Sequence, residues 1–211
     1  MRVSDDRYSR DRLRFDLAVR MIRHEARTCT IRVWTGLTDD RIRKLFRAYL
    51  QHASATPVRR HRGKSPRQIA YFLRTPAVQF EATTLASLFC MLGLVPPAGG
   101  GARHSSPPMS LEWGEFFCQA YESYLVLHSP PRVSFEHAWF LLLALLRQDE
   151  LRLHACSACG GLCLVDRFAS MSSTCTRCAR HPDIPRLERR VDGTGVMPVH
   201  RDWSPAAPEL S

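Results

Sequence analysis

The chain has 211 residues, 45% of them hydrophobic, and a formal net charge of +10 at pH 7. This length is enough for one domain with a buried core plus a small appended module, and the hydrophobic content excludes a wholly disordered chain. The N-terminus is charged rather than apolar, and the longest apolar run, residues 138–146, is too short to span a bilayer. The clustered members of the eight cysteines are therefore expected to hold metal in a reducing compartment, and the protein is expected to be cytoplasmic.

The positive charge is concentrated in the N-terminal third. Residues 1–74 contain 19 Lys and Arg against 7 Asp and Glu, whereas residues 75–150 contain 3 against 7. Nearly all of these cations are arginine, which favours bidentate contacts with phosphate and guanine. A GC-rich genome would raise the arginine content, but it would not concentrate arginine in one third. The distribution predicts that the N-terminal third meets nucleic acid and that the middle packs or binds protein.

The first predicted elements are helical. Residues 1–10 are polar and are expected to be frayed. From Asp11 a helix is expected, because Leu13, Leu17 and Met21 recur every four residues on one face.

Residues 30–50 have features of a helix-turn-helix. Gly36 permits a sharp turn, and Thr38 is suited to cap the helix that follows. The predicted inner stripe of that helix is Ile42, Leu45, Phe46 and Tyr49. Its outer faces carry the candidate DNA contacts Arg41, Arg43, Lys44 and Arg47. Arg32 departs from the motif, since a small residue usually packs there, and an ordinary exposed basic helix is the alternative.

The next segment, residues 51–66, is a basic loop. It carries further candidate phosphate contacts at Arg59, Arg60 and Arg62. A solvated linker is the alternative.

Three further helical regions are predicted. Residues 67–94 are expected to be helical with a break at Thr75-Pro76, and with an apolar face at Phe80, Thr84, Leu88, Met91 and Leu92. Ser110 is expected to cap a helix that runs to about residue 128, after a flexible loop at 95–108. Ser134 is expected to cap another, over residues 135–155. Between residues 138 and 146 this helix is apolar on nearly every side, which indicates either a core position or a partner interface. Cys29, Cys90 and Cys118 are interpreted as small core residues.

Two Cys-x-x-Cys pairs, separated by 15 residues, follow this helix. This spacing is typical of a four-cysteine zinc site, and the predicted ligands are Cys156, Cys159, Cys175 and Cys178. Four thiolates complete a tetrahedral coordination sphere, so the single zinc ion would be structural rather than catalytic. A pair of redox dithiols is the alternative, and Cys163, His154 or His181 could replace one ligand. A short strand is expected at residues 162–165.

The predicted fold class is mainly α, with a helix-turn-helix-like N-terminal segment and a small C-terminal zinc module. The expected division is a helical domain at 11–152 that binds DNA and partner, a zinc-binding module at 153–190 and a disordered tail at 191–211. The sequence shows no phosphate loop, nucleophile–base set or acidic metal cluster, so no catalytic residue and no enzyme activity are expected.

Residues 138–161, AWFLLLALLRQDELRLHACSACGG, resemble the FlhC family, the zinc-containing subunit of the bacterial flagellar master regulator. The family also has Ala-Trp, a long apolar helix, a Leu-x-Leu step, Cys-x-x-Cys and Gly-Gly in this order. The second Cys-x-x-Cys, Arg189-Arg190, Phe89-Cys90 and residues 36–46 are similar to the family as well. The resemblance extends from about residue 12 to residue 190.

The resemblance implies a DNA-binding subunit of a transcriptional activator that turns on flagellar genes, associated with the nucleoid. The implied partners are FlhD, in a hetero-oligomer of four FlhD and two FlhC, together with promoter DNA and RNA polymerase. Further candidate DNA contacts lie near the metal, at Arg177, Arg180, Arg189 and Arg190. The alternatives are a zinc-ribbon adaptor that binds only protein, or a paralogous regulator of non-flagellar genes.

Overall fold

The fold is mainly helical, as predicted, and the cysteine cluster lies at the C-terminal end of the described chain. A computed structural model describes residues 2–52, 58–59, 61, 63, 65–96, 110–148, 150–168 and 174–180. The helices are α1 (Arg2–Arg23), α2 (Thr28–Thr35), α3 (Asp39–His52), α4 (Ala70–Leu73), α5 (Pro76–Met91), α6 (Leu111–Leu127), α7 (Phe135–Arg147) and α8 (Thr176–Arg180). One antiparallel hairpin joins β1 (Leu151–Ala155) to β2 (Leu162–Asp166). The predicted tail at 191–211 and most of the loop at 95–108 lie outside the described residues.

Helix α1 begins at Arg2, so the expectation that residues 1–10 are frayed was wrong. This stretch contains no proline or glycine, and nothing in it interrupts a helix. The predicted apolar face is largely confirmed, because Leu17 and Met21 are fully buried, although Leu13 is 56% exposed.

Helices α2 and α3 are joined by the short turn that the sequence predicts. Gly36 has a φ of 68°, and its N–H donates to the carbonyl of Arg32 at 2.9 Å. Ile42 and Phe46 are buried as expected, and both helices pack against α1. Arg32 is exposed and pairs with Asp39 of α3 at 3.4 Å. A small residue is therefore not required at this position, since the side chain does not enter the helix–helix contact.

Helix α5 buries a different face from the predicted one. Phe80 is 66% exposed and Met91 is 78% exposed, whereas Ala82, Leu85 and Phe89 are fully buried. The same face carries Glu81, which is only 2% exposed and accepts hydrogen bonds from Tyr124 and Arg132. These distant partners determine the orientation of the helix. The predicted break is confirmed, because Thr75 caps α5 by accepting from the N–H of Val78 at 3.2 Å.

Helix α7 is a core helix of this chain. Seven of the nine residues between 138 and 146 are buried, and Trp139 packs against the rings of Trp34 and Phe117. The helix ends at Arg147 and is followed by Gln148, whose φ is 53°. The expected helix over 135–155 is therefore wrong at its end, because residues 151–155 form β1.

Of the cysteines interpreted as core residues, Cys118 is buried and Cys90 is half-buried, but Cys29 is exposed.

The hairpin is docked on the helical core through α5. The amide of Gln79 donates to the carbonyl of Leu164 at 2.8 Å, and the N–H of Leu164 donates to the hydroxyl of Thr83 at 3.1 Å. Leu164 and Leu151 belong to the same buried cluster as the helices. The strand β1 begins two residues before the expected module boundary, so the core continues into the first strand. No helix in the described part of the chain has the length and apolarity needed to cross a membrane.

Candidate metal centre and basic surface

The four predicted ligand cysteines converge at the turn end of the hairpin. Cys156 and Cys159 lie in the turn between β1 and β2, where the N–H of Gly160 donates to the carbonyl of Cys156 at 2.8 Å. Gly160 has a φ of 69°, which glycine adopts without steric cost. Cys175 immediately precedes α8, and Cys178 lies within it. The β1–β2 turn thus supplies the first pair, and the start of α8 supplies the second.

The geometry fits a tetrahedral thiolate site, and the four cysteines could hold a metal ion. Their sulfur atoms all lie within 4.8 Å of one another. The sulfurs of Cys159 and Cys175 are 3.9 Å apart. A regular tetrahedron with metal–sulfur bonds of about 2.3 Å has sulfur–sulfur edges of about 3.8 Å. The cluster therefore needs little rearrangement to coordinate one ion.

Backbone N–H groups near the cluster stabilise the thiolate form of Cys156. Burial raises the pKa of Cys156, but N–H groups of Cys159, Cys175 and Ala158 donate to its sulfur and lower the pKa to about 6. Hydrogen bonding to the sulfur of Cys175, followed by burial, raises the pKa of Cys178 to about 12. Without a cation the cluster therefore retains protons, which metal binding must displace.

Cys163 and His154, the two alternative ligands among the described residues, are not part of this group. Cys163 is buried and donates its S–H to the carbonyl of His154 at 3.2 Å. Burial, followed by the neighbouring sulfurs of Cys175, Cys156 and Cys159, raises its pKa to about 11, so it remains a neutral thiol. His181 lies outside the described residues. The first Cys-x-x-Cys forms a turn rather than the start of a helix, which argues against a thioredoxin-like dithiol.

A basic surface covers the outer side of α3. All four predicted contacts, Arg41, Arg43, Lys44 and Arg47, are exposed. Arg43 pairs with Asp40 at 2.8 Å, and the guanidinium of Arg41 lies 6.0 Å from the ring centre of Phe15. Lys44 and Arg47 form no ion pair with the described residues. Their charges are therefore available to an anionic partner.

The other candidate contacts that the structure describes lie on separate elements. The backbone N–H of Arg59 donates to Glu25 at 3.2 Å, so the basic loop is attached where α1 ends. Arg177 and Arg180 are exposed on α8, beside the cysteine cluster. The other candidates, Arg60, Arg62, Arg189 and Arg190, lie outside the described residues.

A buried carboxylate below the basic loop was missed by sequence reasoning. Glu136 is 5% exposed and accepts from the N–H of Arg27 at 2.8 Å, from Thr30 at 3.1 Å and from Ser65 at 3.4 Å. It thereby joins α7 to the start of α2 and to the loop. No local pattern could have indicated this role, because its partners lie 71 to 109 residues away in the chain.

No protein-family model matches the chain, and no curated protein matches it significantly. The fold and the site define its class as a mainly helical protein that has a C-terminal four-cysteine centre able to hold a metal ion.

Proposed function

We propose that this protein is the DNA-binding subunit of a bacterial transcriptional activator, in which a structural zinc ion stabilises the C-terminal hairpin. The observation that carries the proposal is the α2–turn–α3 unit, whose second helix buries Ile42 and Phe46 and exposes a row of cations. A helix that is anchored on one face and basic on the other is suited to the DNA major groove. Phosphate contacts would supply most of the affinity.

Zinc is the ion that suits the cysteine centre best. Four thiolates in tetrahedral array favour zinc over calcium or magnesium, which require oxygen ligands. The ion would hold the two Cys-x-x-Cys segments together and place Arg177 and Arg180 beside a fixed hairpin. With no open coordination position it has no catalytic role, so we propose that the protein is not an enzyme.

The proposed assembly follows from the resemblance to the FlhC family. FlhD would be the partner, in a complex of four FlhD and two copies of this chain, which would recruit RNA polymerase to flagellar promoters. A closely related alternative is a regulator with the same architecture that acts on genes other than flagellar genes.

Fluorescence anisotropy on labelled promoter DNA, with FlhD supplied and at several salt concentrations, tests the proposal. We expect affinity to fall steeply with salt, and the double variant Lys44→Ala/Arg47→Ala to reduce the log–log slope by about 2, because each lost phosphate contact removes about 0.9. Arg147→Ala removes an exposed arginine from α7 and is the matched control. An unchanged slope in the double variant would exclude α3 from the DNA interface.

An adaptor that binds only protein is the second candidate function. The exposed face of α5 favours it, because Phe80 and Met91 lie on the surface. The Phe80 ring contacts the ring of His128, which follows α6, with centres 5.7 Å apart. Helix α7 gives it no support, since that helix is buried within the chain. Absence of DNA binding at low salt, even with FlhD present, would favour this candidate.

A further inference from the structure

A cleft separates the end of the basic loop from helices α2, α4 and α7. Its volume is about 680 Å³, within the range of roughly 300 to 1,000 Å³ that holds small-molecule ligands. Cys29 of α2, Tyr71 of α4 and His137 of α7 line it together with residues 63 and 65–68. None of the described residues that line it is acidic.

One wall of the cleft is aromatic and held in place from several sides. The rings of Tyr71 and His137 are stacked, with centres 3.8 Å apart and planes inclined by 19°. The Tyr71 hydroxyl donates to the carbonyl of Arg132, and the guanidinium of Arg74 lies 4.2 Å from the Tyr71 ring centre. His137 thus covers one face of the Tyr71 ring and Arg74 the other, so a further planar ring can pack only against the ring edge of Tyr71 or the outer face of His137.

The histidine in this wall is held by the residue that caps its own helix. Nδ1 of His137 lies 2.7 Å from the hydroxyl of Ser134, which also accepts the backbone N–H of His137. This contact fixes the orientation of the imidazole ring. Burial, followed by the charges of Arg74 and Arg27, lowers the pKa of His137 and so favours the neutral ring.

Arg67 and Gln68, which precede α4, also line the cleft and are exposed. The guanidinium of Arg67 forms no ion pair or hydrogen bond with the described residues, and the side-chain amide of Gln68 is also without one. The nearby carboxylate of Glu136 does not compete for Arg67, because it is buried and accepts from three other groups. Arg67 is thus available to an anion that enters the cleft.

We propose that this cleft binds a small phosphate monoester attached to a planar ring, the chemistry of a nucleoside monophosphate. Arg67 and Gln68 bind the phosphate, since a guanidinium forms bidentate charge-assisted hydrogen bonds with phosphate oxygens. The ring packs against the outer face of His137 and the ring edge of Tyr71. Such a ligand would occupy a binding site that is separate from the basic face of α3.

Isothermal titration of the full metal-loaded chain with AMP tests this assignment. We expect AMP to bind at least about 10-fold more tightly than adenosine or inorganic phosphate, because each of these offers only half of the contacts. Arg67→Ala should weaken AMP binding about 10-fold and Gln68→Ala by less. Arg43→Ala, which removes an exposed arginine from α3, is the matched control and should leave AMP binding within twofold.

DNA binding by the same variants separates this site from the proposed function. We expect Arg67→Ala to retain DNA affinity within twofold, so the loss of AMP binding is independent of the outcome on DNA. Equal losses of AMP binding in Arg67→Ala and Arg43→Ala would show non-specific attraction to a basic surface and overturn the proposal. A loss of DNA binding in Arg67→Ala without any AMP binding would also overturn it, because the cleft would then hold a DNA phosphate.

Discussion

The four cysteine side chains can be tested one residue at a time. Cys156→Ser should abolish stoichiometric metal binding, because a three-thiolate site has lost one of the donors that enclose the ion. Metal content by mass spectrometry and thermal unfolding of the same preparation measure the effect.

Cys163→Ser is the matched control for this experiment, since it alters a buried thiol of the same hairpin that lies outside the four-sulfur group. It should retain one ion for each chain. Full metal content in Cys156→Ser would show that another residue replaces the ligand, and Cys163 would be the first to examine by the double variant.

The buried carboxylate of Glu81 is a second residue whose role is sharply defined. It accepts from the Tyr124 hydroxyl at 2.5 Å, and from the N–H and the guanidinium of Arg132 at 2.8 Å and 2.5 Å. Glu81→Ala should lower the free energy of unfolding by about 1–3 kcal/mol, because buried donors lose their acceptor. Denaturant unfolding measures the change. Glu81→Gln keeps the shape and one acceptor and should lose less, so an equal loss in both variants would assign the effect to the charge.

At the scale of elements, the turn between α2 and α3 depends on one glycine. A Cβ atom at Gly36 would meet nothing within 4 Å, so any cost of a substitution comes from the backbone φ of 68°. Gly36→Ala should therefore destabilise the protein by about 1 kcal/mol, and Gly36→Asn by less, because asparagine tolerates the left-handed region better. Chemical denaturation distinguishes the two. Equal stability of all three proteins would show that the turn relaxes to another conformation.

Sequence patterns predicted the elements whose signals are local. Ser110 and Ser134 were recognised as helix caps because a cap bonds to a backbone N–H three residues ahead. The cysteine pairs were recognised because their signal is local too: the Cys-x-x-Cys spacing brings the two sulfurs of each pair together. The buried face of α5 was predicted wrongly because Glu81 finds Tyr124 and Arg132 more than 40 residues away.

The change from α7 to β1 was missed for a related reason. Leu151 and Leu153 stand two residues apart, which is the strand period, but the apolar run of α7 ends only five residues before Leu151 and favoured a continued helix. Pairing with β2 decides in favour of the strand. The cleft was also beyond sequence reasoning. It is formed by residues from α2, α4 and α7 that only the tertiary fold brings together.

At the scale of the whole molecule, an ionic network connects α1 to α6. Arg20 pairs with Glu122 at 2.7 Å and also with Glu115, and His24 lies 2.9 Å from Glu122. The hydrogen bonds from Arg20 lower the pKa of Glu122 to about 2, against partial burial that raises it. The folded pKa lies below the unfolded one, so the stabilisation is present above pH 4.5 and is lost as the pH falls towards 2.

Glu122→Gln should therefore be less stable than the parent protein at pH 7, and the difference should shrink as the pH falls through this range. Urea unfolding at several pH values measures it. Glu112→Gln, on the exposed side of the same helix, should change little. A stability difference that stays constant down to pH 2 would assign the effect to packing rather than to charge.

The attachment of the hairpin to α5 determines how much of the structure should change when the metal is lost. Leu151 and Leu164 are fully buried in the helical core, and Leu164 bonds to Gln79 and Thr83, whereas the cysteines form a separate cluster. Chelation should therefore release residues 156–161 and 174–180 while the strands stay docked, because the strands are held by apolar burial rather than by sulfur. Hydrogen–deuterium exchange with mass spectrometry should show faster exchange in those two segments, and unchanged protection in α5, α6 and α7. Cys156→Ser without chelator should give the same pattern. Exchange that increases throughout the helices would show instead that the metal site and the core fold as one cooperative unit.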